Sequence, residues 1–327
     1  IYGIIIHSNG SFPVNSSSNP KYAWAFKMDS KSQQAETVIE EIEWNVSKDG
    51  LYIPRIRVKP VVISGNRIEF TTGFNARYID TNQICPGMKI VIKRSGDVIP
   101  ILHKIISRPT DVVTVLPKGD WDSTKTQLLV PQLLQKTHPE IQMQKLIYYC
   151  KQMEIPCIGE GMIRKLYDQG IRTLRQLLEV TASQLESFPG FQKKMSQKIY
   201  QIIQESLHPK EISRVMVASQ VFGRGFGYKK CKKLMSHVQL PIILNHLKLG
   251  TDPKVSEVEG VHGFSVESAT LFCKNFRKFR KFLQTHPMID FSALSTGKSS
   301  LSQKITQGST RNKLKQSPYY QQKYVCT

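Results

Sequence analysis

The sequence predicts a multidomain α+β protein in which a small β-barrel precedes an all-α region. Three observations predict it. Around Lys89 to Ile101, apolar and polar residues alternate: Ile90 and Ile92 fall on one face, and Lys89, Val91 and Lys93 on the other, as a half-buried strand requires. From Met143 to Leu283, apolar residues recur three and four apart, as in Leu174, Leu177, Leu178 and Ile199, Ile202, Ile203, the spacing of helices with one buried face. Within that helical region a short unit of glycine and a hydrophobe occurs four times.

A chain of 327 residues suggests two or three domains. Lys and Arg number 46 against 25 Asp and Glu, a formal charge of +21. Such an excess fits a polyanionic partner, nucleic acid before a membrane surface. No run of eighteen apolar residues occurs, so no membrane-spanning helix is expected. The chain starts at Ile1, and IYGIII is too short for a signal peptide, so it reads as a piece that begins inside a domain. Cys85, Cys150, Cys157, Cys231, Cys273 and Cys326 are scattered with no C-x2-C pair. That pattern predicts no zinc and points to reduced thiols in an intracellular protein.

Taken in order, residues 1–35 are the end of a first domain. Ile4 to Ile6 read as a short buried strand, SFPVNSSSNP as a polar loop, and Tyr22 to Met28 as a second strand. Lys27 stands in that apolar run, where a lysine must either reach solvent or meet an anion. Residues 36–109 carry short strands separated by Gly, Pro and Asn turns, which suits a five-stranded barrel. Its basic hairpin turns at Arg94-Ser95-Gly96-Asp97, placing Lys93 and Arg94 at the tip, and Pro100 marks an edge or a bulge. Residues 110–144 contain no cysteine and are expected to be a linker, or a segment that folds without metal. Residues 145–285 are the helical array. Residues 286–327 form a basic polar tail poor in apolar spacing and read as disordered; its GKSS lacks the leading glycine and the strand of a phosphate loop.

The four repeated units are PCIGEGMI from Pro156, FPGFQKK from Phe188, GRGFGYKK from Gly223 and VHGFSVE from Val261. Each follows a helical stretch and opens another, which is a helix-hairpin-helix arrangement recurring at roughly 35 residues. The physics favours phosphate. Glycine lets backbone N–H groups approach an anion, and the following helix presents its N-terminus with orphan donors and partial positive charge. Gly190, Gly225, Gly227 and Gly263 are the expected backbone contacts, with charge added by Lys193, Lys194, Lys229 and Lys230. Phe191, Phe226 and Phe264 are expected beneath the turns as core wedges. Gln192, Ser265 and Cys157 depart from the Gly-hydrophobe-Gly form, so the Gly225-Phe226-Gly227 copy is expected to grip best.

Several of these strings resemble the NAD-dependent DNA ligases. KRSGDVIP is similar to that family's Arg-Ala-Gly-Asp-Val-Ile-Pro in its oligonucleotide-binding (OB) barrel, and WNVSKDGLYIPRIRVKPV and FTTGFN resemble the barrel's earlier strands, with Phe74 in place of a histidine. PKYAWAFKM looks like the last nucleotidyltransferase motif, which puts Lys27 on the lysine that contacts the nucleotide phosphate. YGIIIH looks like the preceding motif, with Tyr2 for its Asp and His7 for its nucleotide-binding Lys. The resemblance covers roughly residues 1–283 and orders the domains as the family does: end of an adenylation (nucleotidyltransferase) domain, OB fold, hairpin array. The family has a four-cysteine zinc module where residues 110–144 lie and a BRCT domain where the tail lies; the tail resembles at most a truncated start of one.

The resemblance implies a ligase that adenylates a lysine from NAD, transfers AMP to the 5′-phosphate of a nick and seals it with the 3′-hydroxyl, with Mg2+ neutralising phosphates. The attacking lysine of Lys-x-Asp-Gly is not in this sequence; Lys48-Asp49-Gly50 has the wrong spacing and lies in the barrel. No catalytic residue is therefore expected in these residues, and the chain alone is expected to be inactive. It would supply nucleotide contact by Lys27 and His7, and would hold nicked double-stranded DNA, as a monomer, through Lys48, Lys93, Arg94 and the hairpins. A non-catalytic DNA-binding module built from the same parts is the alternative, and a nuclease accessory subunit a third.

Overall fold

The structure, a computed structural model, describes residues 4–12, 20–26, 34–95, 99–238, 240–261 and 263–290. Lys27, the Gly96-Asp97 turn and the tail beyond residue 290 lie outside them. At the front, β1 (Ile4–His7) and β2 (Ala23–Phe26) form an antiparallel ribbon, Ile4 opposite Phe26 and His7 opposite Ala23. The expected strand is present, but it is not buried: Ile5 is 67% exposed, because among the described residues β1 pairs only with β2 and nothing packs on its apolar side chains.

The barrel is built from β3 (Gln34–Val46), β4 (Leu51–Ile63), β5 (Asn66–Thr72), β6 (Lys89–Ser95) and β7 (Ile99–Ser107). β3 pairs with both β4 and β6, β6 with β7, β7 with β5 and β5 with β4, so the five strands close on themselves. All pairs are antiparallel except β5 with β7, joined in parallel at Thr72 and Ile101. This is the closed five-stranded OB topology. Alternation explains the strands: in β4, Pro54, Ile56 and Val58 face inward, while Arg55, Arg57 and Lys59 face outward. Pro60 has no N–H to donate and sits where the β4–β5 register slips, between Arg57 and Val61, letting one long strand serve two sides of the barrel. Ile39, Ile56, Ile63, Ile79, Ile84, Met88, Ile90 and Ile92 fill the interior. A short helix α1 (Ala76–Thr81), capped by Asn75, plugs one end with Ile79.

Part of the segment expected as a linker belongs to the sheet. β8 (Asp120–Trp121) and β9 (Leu128–Leu129) make a hairpin, and β9 pairs with Leu51 and Tyr52 of β4. Asp122 builds the turn: its carboxylate accepts from the N–H groups of Thr126 and Gln127 and from the Thr124 hydroxyl, and these bonds lower its pKa. Backbone hydrogen bonding thus holds this stretch against the barrel. A short α2 (Gln132–Gln135) follows.

Nine helices are described after it: α3 (Pro139–Gln152), α4 (Glu160–Asp168), α5 (Leu174–Glu179), α6 (Ala182–Glu186), α7 (Lys193–Ser206), α8 (Ile212–Ala218), α9 (Tyr228–Val238), α10 (Leu240–Leu249) and α11 (Val266–Thr285). One continuous core runs through them, from Met143 to Ile289. Its densest part is a set of phenylalanines, Phe222 stacked on Phe272 at 5.0 Å, with Phe276 and Phe279 beside them.

Candidate nucleic-acid interface

The four repeated units fold as one turn built four times. The first residue of each lies in the left-handed region: Cys157 at φ 62, Gly190 at 81, Gly225 at 89 and Gly263 at 90. The second residue points inward. Ile158, Phe191 and Phe226 are buried, and Phe264 is half-buried against the same core. The third residue, Gly159, Gln192, Gly227 or Ser265, ends the turn, and α4, α7, α9 or α11 starts directly after it. The fourth turn is entered from a single 3-10 turn, Val255–Glu257, where the other three follow α-helices. The wedges tie neighbouring units together: the rings of Phe226 and Phe264 meet edge to face, 6.0 Å apart.

The four helix starts differ in charge and in capping. α4 opens with Glu160, and α11 carries Glu267 in its first turn; Ser265 also caps α11 from its own side chain. α7 opens with Lys193 and Lys194, both exposed, and no side chain caps it. α9 opens after Gly227, which has no side chain to offer, with exposed Lys229 in its first turn. Free N–H groups and positive charge therefore coincide at the second and third turns, and those two suit an anion. Exposed Arg224, between Gly223 and Gly225, adds to the third turn. It was legible as the middle of a Gly-Arg-Gly string.

Other expected contacts are placed differently. Lys230 turns inward: its ammonium sits 4.8 Å from the ring centre of Phe226 and 4.7 Å from that of Phe264, and it donates to the Ser268 hydroxyl. It is a bracket between the third and fourth units, held by cation–π attraction. Gly263 is in the predicted turn, but at the self-capped, acidic helix start. Lys48 pairs with Asp49 at 2.8 Å and lies over the Tyr148 ring at 4.6 Å, so it joins the barrel to α3. Lys93 and Arg94 are half-buried at the end of β6, opposite Ile101 and Pro100. His7 leans on the Tyr22 ring at 5.5 Å on the exposed ribbon. Gly227 lies outside the left-handed region, and a Cβ there would meet nothing within 4 Å, so the backbone angle does not demand glycine.

The barrel's outer basic row is largely neutralised from within. Arg55 bonds Glu43 and covers the Phe70 ring, and Arg57 pairs with Glu41. The barrel wall at β3–β4 is thus an ion-paired surface. Cys150 and Cys231 are buried, and burial pushes both thiols up to about 12, which keeps them protonated and poor metal ligands at neutral pH. Among the described residues no helix is long and apolar enough to cross a membrane.

Residues 36–112 match the family model of the NAD-dependent DNA ligase OB-fold domain, and residues 153–205 that of a SAM-like helix-hairpin-helix tandem. A protein named DNA ligase from Acanthamoeba polyphaga mimivirus is 33% identical over 86% of this chain and 44% of its own length. Putative DNA ligase 205R of Invertebrate iridescent virus 6 is 30% identical over 71% of this chain and 36% of its own, and a DNA ligase of Leptospira biflexa 29% over 58% and 29%. The chain thus spans less than half the length of these curated relatives. With the closed barrel and the hairpin tandem both in place and in order, the chain carries an OB-fold domain of the NAD-dependent DNA ligase kind followed by a helix-hairpin-helix tandem, and over most of its length it is similar to proteins named DNA ligase.

Proposed function

We propose that this chain is the DNA-holding part of an NAD-dependent ligase that seals nicks in duplex DNA during replication and repair inside the cell. It divides into the end of the adenylation domain (1–35), the barrel (36–109), a connecting segment (110–144), the hairpin array (145–285) and a basic tail. The observation that carries the reading is the turn built four times, with uncapped, lysine-bearing helix starts at two of its copies. Backbone N–H groups and lysines at α7 and α9 take phosphate oxygens, which fixes the duplex without reading its sequence. In the complete enzyme NAD supplies the adenylate and Mg2+ offsets phosphate charge. Among the described residues no group of three His, Cys, Asp or Glu side chains converges to hold a metal ion. Lys27 and His7 are the nucleotide contacts by family resemblance.

Three measurements test this. In an anisotropy titration the chain, as a monomer, should bind a nicked duplex regardless of sequence, and removing Lys193 and Lys194 together should flatten the salt dependence by about one to two units. Incubated with labelled NAD, it should take up no label, since no Lys-x-Asp-Gly lysine is present. Absence of duplex binding, or a stable adenylate on any lysine, would overturn the assignment. Metal analysis of the purified chain should find no stoichiometric zinc; one tightly held ion per chain would reveal a thiol or histidine site.

A further inference from the structure

The twenty-residue helix α11 has two unlike faces. Phe272, Phe276 and Phe279 are fully buried in the phenylalanine core. On the opposite side Lys274, Arg277, Lys278 and Lys281 are all exposed, at spacings of three, four and seven that put them in one stripe. An open groove of about 500 Å³ runs among them, lined by these four with Arg280 and Gln284, and among the described residues no acidic one contributes to it.

A row of lysines is ordinarily a solvated face, and three facts set this one apart. Elsewhere Arg55, Arg57, Arg67, Arg164, Arg175 and Arg214 each meet a carboxylate, and on α11 itself Arg280 meets Asp252. Among the described residues no ion pair reaches any of the four cations of the stripe. Their neighbours along the helix are like charges, Lys274 with Lys278 and Arg277 with Lys281 at four apart, an arrangement that works against the helix. The helix dipole does not offset it, because its effect is confined to the last turn, and that turn carries no basic residue. A repulsive stripe with a groove along it is the arrangement expected where a polyanion supplies the missing charge.

We propose that the outer face of α11 is a phosphodiester-binding surface for duplex DNA, separate from the hairpin turns. The proposal rests on the reading of this chain as a DNA-holding module, and adds to it a contact that needs neither a glycine turn nor a helix N-terminus. Lys274 and Lys281 are about 10 Å apart along the axis at the helical rise. One DNA strand presents a phosphate about every 3.4 Å, so the stripe spans about three phosphates. It acts through side-chain charge alone, without sequence preference, and extends the footprint beyond what the turns cover.

The test uses the full chain carrying Lys274→Gln, Arg277→Gln, Lys278→Gln and Lys281→Gln together. The side chains are exposed and their like charges repel, so the melting temperature should match or slightly exceed wild type, and circular dichroism checks this. A control variant removes four exposed lysines elsewhere, Lys104, Lys125, Lys136 and Lys151. On a nicked duplex the stripe variant should flatten the slope of log affinity against log salt by about two to three units, since each phosphate contact releases about 0.9 counterions. Hydroxyl-radical footprinting should show a block of about three phosphates losing protection at one end of the site, with the rest retained. The control should change the slope by less than one unit. A wild-type slope in the stripe variant overturns the inference while leaving the hairpin reading intact. Equal flattening by both variants means diffuse electrostatics and overturns it as well, as does equal flattening on single-stranded DNA. If wild type fails to bind any duplex, the module reading falls first and this one with it.

Discussion

Phe272→Ala is expected to unfold the helical region at moderate temperature. Phe272 is fully buried and lies between the last two hairpin units: 5.0 Å from the ring of Phe222, 6.2 Å from that of Phe226 beneath the third turn, and 5.8 Å from that of Phe276 on its own helix. Truncating a buried phenylalanine costs about 3–5 kcal/mol through lost burial and the cavity left behind. A domain's whole stability is about 5–15 kcal/mol, so one such change removes a large part of it. Urea or thermal unfolding followed by the helical signal should show the loss. Duplex affinity should fall with it, because the third turn and the start of α11 both rest on this ring stack. Leu133→Ala makes the contrast: Leu133 is 93% exposed, and its loss should stay within about 0.5 kcal/mol. Equal effects from the two substitutions would mean that the stack does not seat the turns.

What the sequence made legible follows the range of the interactions involved. The hairpin turns are local: a left-handed residue, an inward hydrophobe and a helix start occupy a few consecutive positions, so FPGFQKK and GRGFGYKK announce them. The strands announce themselves by alternation, as Ile90 and Ile92 do. Barrel closure is not local. The parallel contact of Thr72 with Ile101, which completes the ring, has no signature in either stretch. Neither had the β8–β9 hairpin, because two-residue strands leave no period, and the turn depends on how one carboxylate, that of Asp122, folds back on Thr126 and Gln127. Lys230 shows the limit for sites. In sequence it is the twin of Lys229, but its direction is set by Phe264 and Ser268, more than thirty positions away. Lys48 likewise looked like a free cation until Tyr148 was placed beneath it. The family motifs reached further than periodicity did, since they carry the outcome of such distant contacts in a short string.

Two glycines of the third turn separate folding from binding. Gly225 stands at φ 89, where a side chain is strained whatever space surrounds it, whereas Gly227 has ordinary backbone angles and open space where a Cβ would stand. Gly225→Val should therefore lower stability by roughly 1–2 kcal/mol, the usual penalty of the left-handed region for a side chain. It should not abolish folding, because Cys157 already occupies the same position of the first turn at φ 62. Gly227→Leu should leave the melting temperature unchanged, as Gln192 and Ser265 occupy the equivalent place in two other turns. Its effect should appear only on DNA. A bulky side chain at the foot of α9 stands between the uncapped N–H groups and any phosphate, so duplex affinity should fall by about tenfold, the equivalent of about 1.4 kcal/mol. The Lys229→Gln variant removes charge from the same helix start but leaves the backbone open. It should weaken binding less than Gly227→Leu and flatten the salt slope by about one unit. If Gly227→Leu bound the nicked duplex as wild type does while Lys229→Gln did not, the turn would act only as a scaffold for lysines. The backbone at the start of α9 would then take no phosphate.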